Sequence, residues 1–353
     1  MERSIAAGSA LLRVARISLG VTSHCSHCYD ASQHSVMTLA ELDLPLPFLR
    51  AFAFVWGTLW GSFLNVVVYR IPREMSVVRP ASHCPGCGAP VAALDNIPIV
   101  SWVLLRGRAR CCGVRISPRY VVVEALSGLI SLAVFEVIVR ALPADTSLVH
   151  AGSIFLSDFA LAMALVAAAF IDAEHMYLPD PITLGGTLFG LLTPSLRDLG
   201  WADVLVGAGV GFVAVWLPFV VGYKALRGRS GMGLGDAKLT MLAGAWFGWP
   251  SVVFAIFAGA MQASVAALII YMVKGKIEEP ESVLRDREEI QKAASEGDAE
   301  AIALLAADPL ATEPGEGLLA ARLPFGPFLC LAIIEWMLAG EWITDRWVPW
   351  LAR

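Results

Sequence analysis

The chain has 353 residues, of which 57% are hydrophobic and only 16% charged. Soluble domains carry roughly 25% charged residues, so these proportions exclude a soluble globular enzyme and indicate a membrane protein. The formal net charge of −5 does not mark a basic partner, because 12 of the 31 acids fall in one polar stretch, Lys274 to Arg322.

Residues 1–36 bear arginines, few acids and no unbroken apolar run long enough to cross a bilayer. His24-Cys25-Ser26-His27-Cys28 offers metal-ligand chemistry without a folded frame around it. The expectation is a dispensable or disordered leader over 1–46, or translation that begins at Met37. A cleaved signal peptide fits less well, since no run of about 7–15 apolar residues precedes a small-residue cleavage site.

A spanning helix needs about 20 mostly apolar residues. That ruler marks eight segments, at about 47–69, 119–140, 153–171, 181–196, 202–224, 236–249, 250–273 and 324–344. The fourth and sixth are short, which admits a re-entrant or tilted course, and Pro250 marks the turn after the sixth. The predicted fold is therefore an all-α polytopic membrane protein of about eight transmembrane helices, with a small cytoplasmic Cys-rich domain between helices one and two. Its expected parts are the first helix (47–69), the Cys-rich domain (70–118), a membrane core (119–273), a charged insert (274–323) and a last helix with the C-terminus (324–353).

Lysine and arginine in short loops set orientation. The loop from Arg70 to Arg119 carries eight arginines and belongs in the cytoplasm. Counting helices from it puts the loops Asp172–Asp180 and Lys224–Asp236 on the same side, and the latter carries Lys224, Arg227 and Arg229. Those arginines also suit lipid headgroups, and no nucleic acid is expected.

Six of the seven cysteines lie in short-spaced pairs, which suits metal ligation in a reducing compartment better than a disulfide framework. Cys84 and Cys87 form a C-x2-C knuckle, and Cys111-Cys112 returns after 23 intervening residues. Four thiolates can close a structural zinc site that folds a small domain; the alternative is reduced thiols in a loop packed around Trp102, Leu104 and Leu105. Neighbouring residues of an extended segment point to opposite faces, so ligation by both Cys111 and Cys112 demands a tight turn, which Gly113 helps to form. Gly61-Ser62-Phe63-Leu64-Asn65 ends the first segment with small and polar residues, read either as close helix packing or as a polar wall at the active face.

Two aspartates stand at helix ends. One is Asp172, in Phe170-Ile171-Asp172-Ala173-Glu174-His175, shortly before Leu178-Pro179-Asp180. The other is Asp236, in Gly231-Met232-Gly233-Leu234-Gly235-Asp236-Ala237-Lys238. An acid at the mouth of an apolar helix marks a functional site, and two on one membrane face are the material of an aspartic-protease dyad; the alternative is two unrelated surface caps. Gly231, Gly233 and Gly235 can take φ > 0 and let an extended substrate chain approach, with Lys238 and Asp180 beside them; Asp180 is read as positioning the loop or capping the next helix. The insert reads as two short solvated helices, Glu281–Ala294 and Asp298–Ala306, or as a regulatory surface. No Rossmann, Walker, H-E-x-x-H or G-x-S-x-G motif occurs.

Taken together, these residues resemble the type IV prepilin peptidases, bifunctional leader peptidase/N-methyltransferases of type IV pilus and type II secretion systems. The resemblance rests on Gly61-Ser62-Phe63-Leu64-Asn65-Val66-Val67-Val68-Tyr69-Arg70, the Cys84/Cys87 knuckle, Asp95-Asn96-Ile97-Pro98 with Ser101-Trp102, and Arg106-Gly107-Arg108. It continues through Ile116-Ser117-Pro118-Arg119-Tyr120, Leu178-Pro179-Asp180, Gly233-Leu234-Gly235-Asp236-Ala237-Lys238-Leu239 and Phe325-Gly326-Pro327-Phe328, in family order over about residues 50–335. It implies that Asp172 and Asp236 are the catalytic pair of a GxGD intramembrane aspartic protease in a bacterial inner membrane, open to the cytoplasm. It implies prepilin or pseudopilin substrates, membrane lipid around the enzyme, and S-adenosylmethionine as methyl donor for the newly exposed N-terminus, with the cytoplasmic loop between helices one and two supporting that methylation. The sequence departs from the family at Ala109, where a cysteine usually opens the second knuckle, in its longer 274–322 insert, and in its first 40 or so residues. The rival reading, a proton-coupled transporter, calls for acids at mid-bilayer and inverted repeats; the acids here stand at helix ends and no repeat is visible. A zinc-organised assembly factor without catalysis is a third reading, in which the aspartates are dispensable.

Overall fold

The computed structural model describes residues 37–227, 231–307 and 322–347. The leader over 1–36, its His24–Cys28 cluster, and Arg229 lie outside the described residues. Residues 37–40, counted with the leader above, belong with the membrane unit: Leu39 and Ala40 donate backbone hydrogen bonds to Thr146 and Ala144, and Leu148 donates to Met37.

Among the described residues the chain is helical, with isolated β-bridges and no named strand. The helices are α1 (Leu46–Arg70), α2 (Val100–Leu104), α3 (Arg119–Val137), α4 (Leu148–His175), α5 (Asp180–Leu192) and α6 (Trp201–Val215). They continue with α7 (Tyr223–Arg227), α8 (Leu234–Phe247), α9 (Trp249–Lys274), α10 (Glu281–Ser295), α11 (Ala299–Ala307) and α12 (Gly326–Trp347). Proline stands in the first turn of α1, α5 and α9, where its missing N–H is no loss and its fixed φ suits a helix start.

All eight predicted segments form helices. Six are long and apolar enough to cross a membrane: α1, α3, α4, α6 with its continuation through α7, α9 and α12. The other two, α5 and α8, are the segments that read as short. At 1.5 Å per residue the 14 residues of α8 reach about 21 Å, against a hydrocarbon core of about 30 Å.

That shortness shapes one end of the bundle. Gly248, with φ +75°, joins α8 directly to α9, so the turn belongs to this glycine and Pro250 already lies inside α9. From that shared end α9 runs 26 residues, about 39 Å, while α8 stops well short of it. The glycine-rich stretch before α8 thereby falls short of the far end of α9, and Gly231, Gly233 and Leu234 in it are exposed. Between α6 and α7 the chain widens into a π-helical turn, Trp216–Gly222, around Pro218, which has no N–H to give. The Phe219 carbonyl in that turn accepts the Gly231 N–H at 2.8 Å, which anchors the glycine-rich stretch.

The most enclosed helices are α4 and α8. α4 packs against α1, α3, α5 and α12, and α8 against α5, α6, α9 and α12. From Leu239 to Trp246 all residues of α8 but Met241 are buried. Large apolar side chains instead face outward on α1, α3, α6 and α9, among them Phe52, Leu129, Leu205 and Phe257, as befits helices with lipid for a solvent.

The insert is not merely solvated. Ser282 donates its hydroxyl to the Glu174 carbonyl at the end of α4. Glu279 and Arg287 are buried and paired, and Arg322 reaches the same carboxylate at 3.3 Å.

Candidate active site

Asp172 sits one turn before α4 ends at Met176, whose φ of +53° and N–H bond to the Asp172 carbonyl terminate the helix. The Asp172 side chain is buried, and Oδ2 accepts the Gly326 N–H at 2.9 Å. Gly326 opens α12, where backbone N–H groups lack helical partners and carry the positive end of the helix dipole. A Cβ at this position would stand 2.6 Å from Oδ2, so glycine is needed for the approach.

Asp236 is the third residue of α8, and its Oδ2 accepts the Gly233 N–H at 3.3 Å. This is the reach-back half of a capping box, which satisfies one of the helix's orphan donors. The φ > 0 freedom expected of Gly231, Gly233 and Gly235 is not used: none is left-handed, and Gly233 is extended at φ −72°, ψ 151°. Space decides instead, since a Cβ at Gly235 would press on Leu178 and one at Gly231 on the Tyr223 ring.

Both aspartates line one cavity of about 640 Å³, with Asp180, Gly231, Gly233, Gly235 and Lys238 also in its wall. Lys238 Nζ donates to Asp180 Oδ1 at 2.6 Å and ties the second turn of α8 to the start of α5. Among the described residues the Asp180 side chain is found bonded to Lys238 and not to the first turn of α5. Arg322 and Phe325 close the cavity from the α12 side. Sequence reasoning noticed Phe325-Gly326-Pro327-Phe328 as a motif but had no signal that its backbone meets Asp172, 154 residues away.

The Cys-rich segment brings Cys84, Cys87, Cys111 and Cys112 together, with all four Sγ atoms within 4.8 Å of one another. Cys84 and Cys112 are 3.6 Å apart, Cys87 and Cys111 3.4 Å. Zinc with Zn–S of about 2.3 Å sets neighbouring sulfurs about 3.8 Å apart in a tetrahedron, so the donor set fits that ion.

The two knuckles repeat one design. Gly88 (φ +72°) donates to Cys84 O and Gly113 (φ +71°) to Ala109 O; in return the Cys84 N–H donates to Ala89 O and the Ala109 N–H to Val114 O. The flanking bridges, His83↔Pro90 and Arg108↔Arg115, match as well. Ala109 thus holds the place of Cys84, Cys112 that of Cys87, and Cys111 that of Gly86. The turn over 110–112 swings Cys111 inward, as ligation requires. Backbone N–H groups of Gly86 and Cys87 draw the Cys84 thiol down to about 6, whereas proton sharing with Cys87 and Cys84 pushes Cys111 up to about 12.

Residues 55–139 match the Bacterial Peptidase A24 N-terminal domain, and residues 159–271 match the Type IV leader peptidase family. A prepilin leader peptidase/N-methyltransferase of Myxococcus xanthus is 33% identical over 328 residues, covering 84% of this chain and 92% of that protein. The chain belongs to the type IV leader peptidase family. Family members of the same name from Neisseria gonorrhoeae and Klebsiella pneumoniae are 35% and 36% identical, over 67% and 62% of this chain and 88% and 94% of theirs. No solved structure gives a significant match. The leader peptidase match takes in α4 from Phe159 through most of α9, and so holds Asp172, Asp180 and the glycine stretch. Gly326 lies beyond both matched regions. Nothing in the fold or these relatives supports the transporter reading.

Proposed function

We infer that this multi-pass inner-membrane protein is an aspartic endopeptidase that removes the basic leader of type IV prepilins or pseudopilins and methylates the exposed N-terminus, with S-adenosylmethionine as methyl donor. The observation that carries the peptidase reading is the meeting of Asp172 and Asp236, from two separate helices, in the wall of one cavity at one end of the bundle. The eight arginines between Arg70 and Arg119 support a cytoplasmic position for that end. A substrate with a charged leader then reaches the acids without moving charge across the bilayer, its apolar helix staying in lipid.

Two carboxylates in one site share a proton. The ionised one takes a proton from water as it attacks the scissile carbonyl, and the protonated one polarises the carbonyl oxygen. The Gly326 N–H on Asp172 and the Gly233 N–H on Asp236 hold each carboxyl in place. The extended backbone of Gly233 beside this pair supports its role as the surface along which substrate lies. Incubating purified protein with a prepilin, with and without S-adenosylmethionine, tests the whole reading by the mass of the product's N-terminus. Intact substrate removes the peptidase, and an unmethylated product removes the methyltransferase.

The Asp180–Lys238 pair supports a positioning role for both residues. Half-exposed pairs contribute little, about 0–1 kcal/mol, so Asp180→Asn is expected to slow cleavage by less than about tenfold while Asp172→Asn abolishes it. A dead Asp180→Asn beside an active Asp172→Asn would show that Asp180, and not Asp172, is the catalytic acid of this motif.

The thiol cluster supports a structural zinc ion that stabilises the Cys-rich domain. Apparent zinc affinities of cysteine-rich sites reach about 10–16 kcal/mol, so chelation should unfold this region. Ala109→Cys restores the position matching Cys84 and should raise zinc retention or leave it unchanged. Metal analysis of the wild-type protein returning less than about half a zinc per chain would refute the site.

A further inference from the structure

A second cavity, of about 410 Å³, opens between the end of α1, the start of α3 and the Cys-rich segment. Its walls include Ser62, Asn65, Tyr69, Trp102, Tyr120 and Glu124, and the peptidase chemistry uses none of them. A cavity of this size holds a nucleoside-sized ligand.

Asn65 is 3% exposed, and its Nδ2 donates to the carbonyls of Gly61 and Tyr120 at 3.3 and 3.1 Å. Those two acceptors fix the amide's orientation, because the flipped form would set oxygen against oxygen. Its Oδ1 is then a buried acceptor with no partner, and such a group asks for a donor. Glu124 is 8% exposed, and its Oε2 accepts the Ile99 N–H at 2.7 Å. No ion pair to Glu124 is found among the described residues.

The donor Ile99 is strained. It is β-branched and sits at φ +62°, ψ −51°, a conformation such residues avoid and which clusters at functional sites. Trp102 is held in place by its indole bond to the Ile116 carbonyl at 3.2 Å and by Gly107, where a Cβ would lie 2.9 Å from the ring. Arg70 and Arg108 also stand in the wall, the first turned to the Ser76 and Pro80 carbonyls, and the buried acceptors beside the aromatic rings form a site for a small group that carries N–H donors. In a leader peptidase that methylates its product, the group of that description is the α-ammonium freed by cleavage, and the sulfonium donor is a second cation suited to the same walls. The two cavities share one end of the bundle, since Arg119 at the start of α3 pairs with Glu174, two residues beyond Asp172.

We propose that this second cavity is the methyl-transfer chamber, in which Glu124 is the catalytic base for the substrate's new α-amino group and Asn65 Oδ1 orients it. The inference rests on the methyltransferase reading above. The α-ammonium gives a proton to the Glu124 carboxylate. Its freed lone pair forms the N–C bond to the donor's methyl as the C–S bond breaks, and the sulfur keeps that pair and leaves as a neutral thioether. Glu124 then returns its proton to solvent.

The test uses the full-length protein in detergent with a prepilin. Glu124→Gln should cleave within about twofold of wild type, yield product methylated at least about a hundredfold more slowly, and still bind tritiated S-adenosylmethionine in equilibrium dialysis. Asn65→Ala, reaching the chamber through α1, should lower methylation and raise the KM for the cleaved peptide while sparing cleavage. Methylation by Glu124→Gln at the wild-type rate overturns the proposal, as does loss of cleavage together with methylation in both variants. A wild-type product that is cleaved but carries no methyl group removes instead the reading on which the proposal rests.

Discussion

Asp172→Asn and Asp236→Asn each leave a prepilin uncleaved, with turnover down by at least about a thousandfold, the upper range for removing a general acid or base. Asparagine keeps the shape of aspartate, and its Oδ1 can still accept the backbone N–H that each carboxylate now receives, from Gly326 and from Gly233. The substitutions therefore remove ionisation while sparing the bonds that position the groups. Each variant should reach the membrane, solubilise and melt as the wild type does. Retention of more than about a tenth of wild-type cleavage by either would show that the pair is not the catalytic machinery. It would revive the alternative of two surface caps.

Gly326→Ala is the sharper test of the arrangement, because it touches neither carboxylate. An alanine Cβ would lie 2.6 Å from Asp172 Oδ2 and 2.9 Å from its Cγ, well inside van der Waals contact. Either Asp172 rotates away or the start of α12 retreats, and the 2.9 Å hydrogen bond is lost in both cases. Overpacking of this kind costs about 1–3 kcal/mol of stability, so the protein should remain folded. Cleavage should fall by about a hundredfold or more, as a misplacement of about 1 Å at a reacting centre can do. Gly209→Ala in α6 is the control, since a Cβ there meets nothing within 4 Å and alanine favours a helix. A Gly326→Ala enzyme within threefold of the control would show that this contact does not serve catalysis.

The candidate pair of aspartates was legible because its signals are local. Hydropathy over about 20 residues marks spanning helices, and arginine in short loops marks sidedness; each is decided within one stretch of chain. Counting helices between the arginine-rich loop and the two aspartates placed both acids at one face before any contact was known. The knuckle at Cys84 and Cys87 was equally plain. The defect opposite it, Ala109, could be noted from sequence, but not how Cys111 makes it good. That depends on a turn ending at Gly113, a backbone conformation and not a residue type.

What the sequence by itself determined is therefore the membrane class, the eight helical segments, the family and the acids that can do the chemistry. Tertiary structure alone decided which backbone donors hold those acids, because Gly326 and Asp172 meet only after α12 packs on α4. It decided that the glycines before Asp236 serve close packing against Leu178 and Tyr223 and not a left-handed turn. It also decided that Asp180 holds Lys238 and that Asn65 keeps an unpaired oxygen beside Glu124. The physical reason is the same in each case. Hydropathy and charge act through the solvent around one segment, whereas a hydrogen bond or a steric limit acts through one neighbour, and the fold chooses the neighbour.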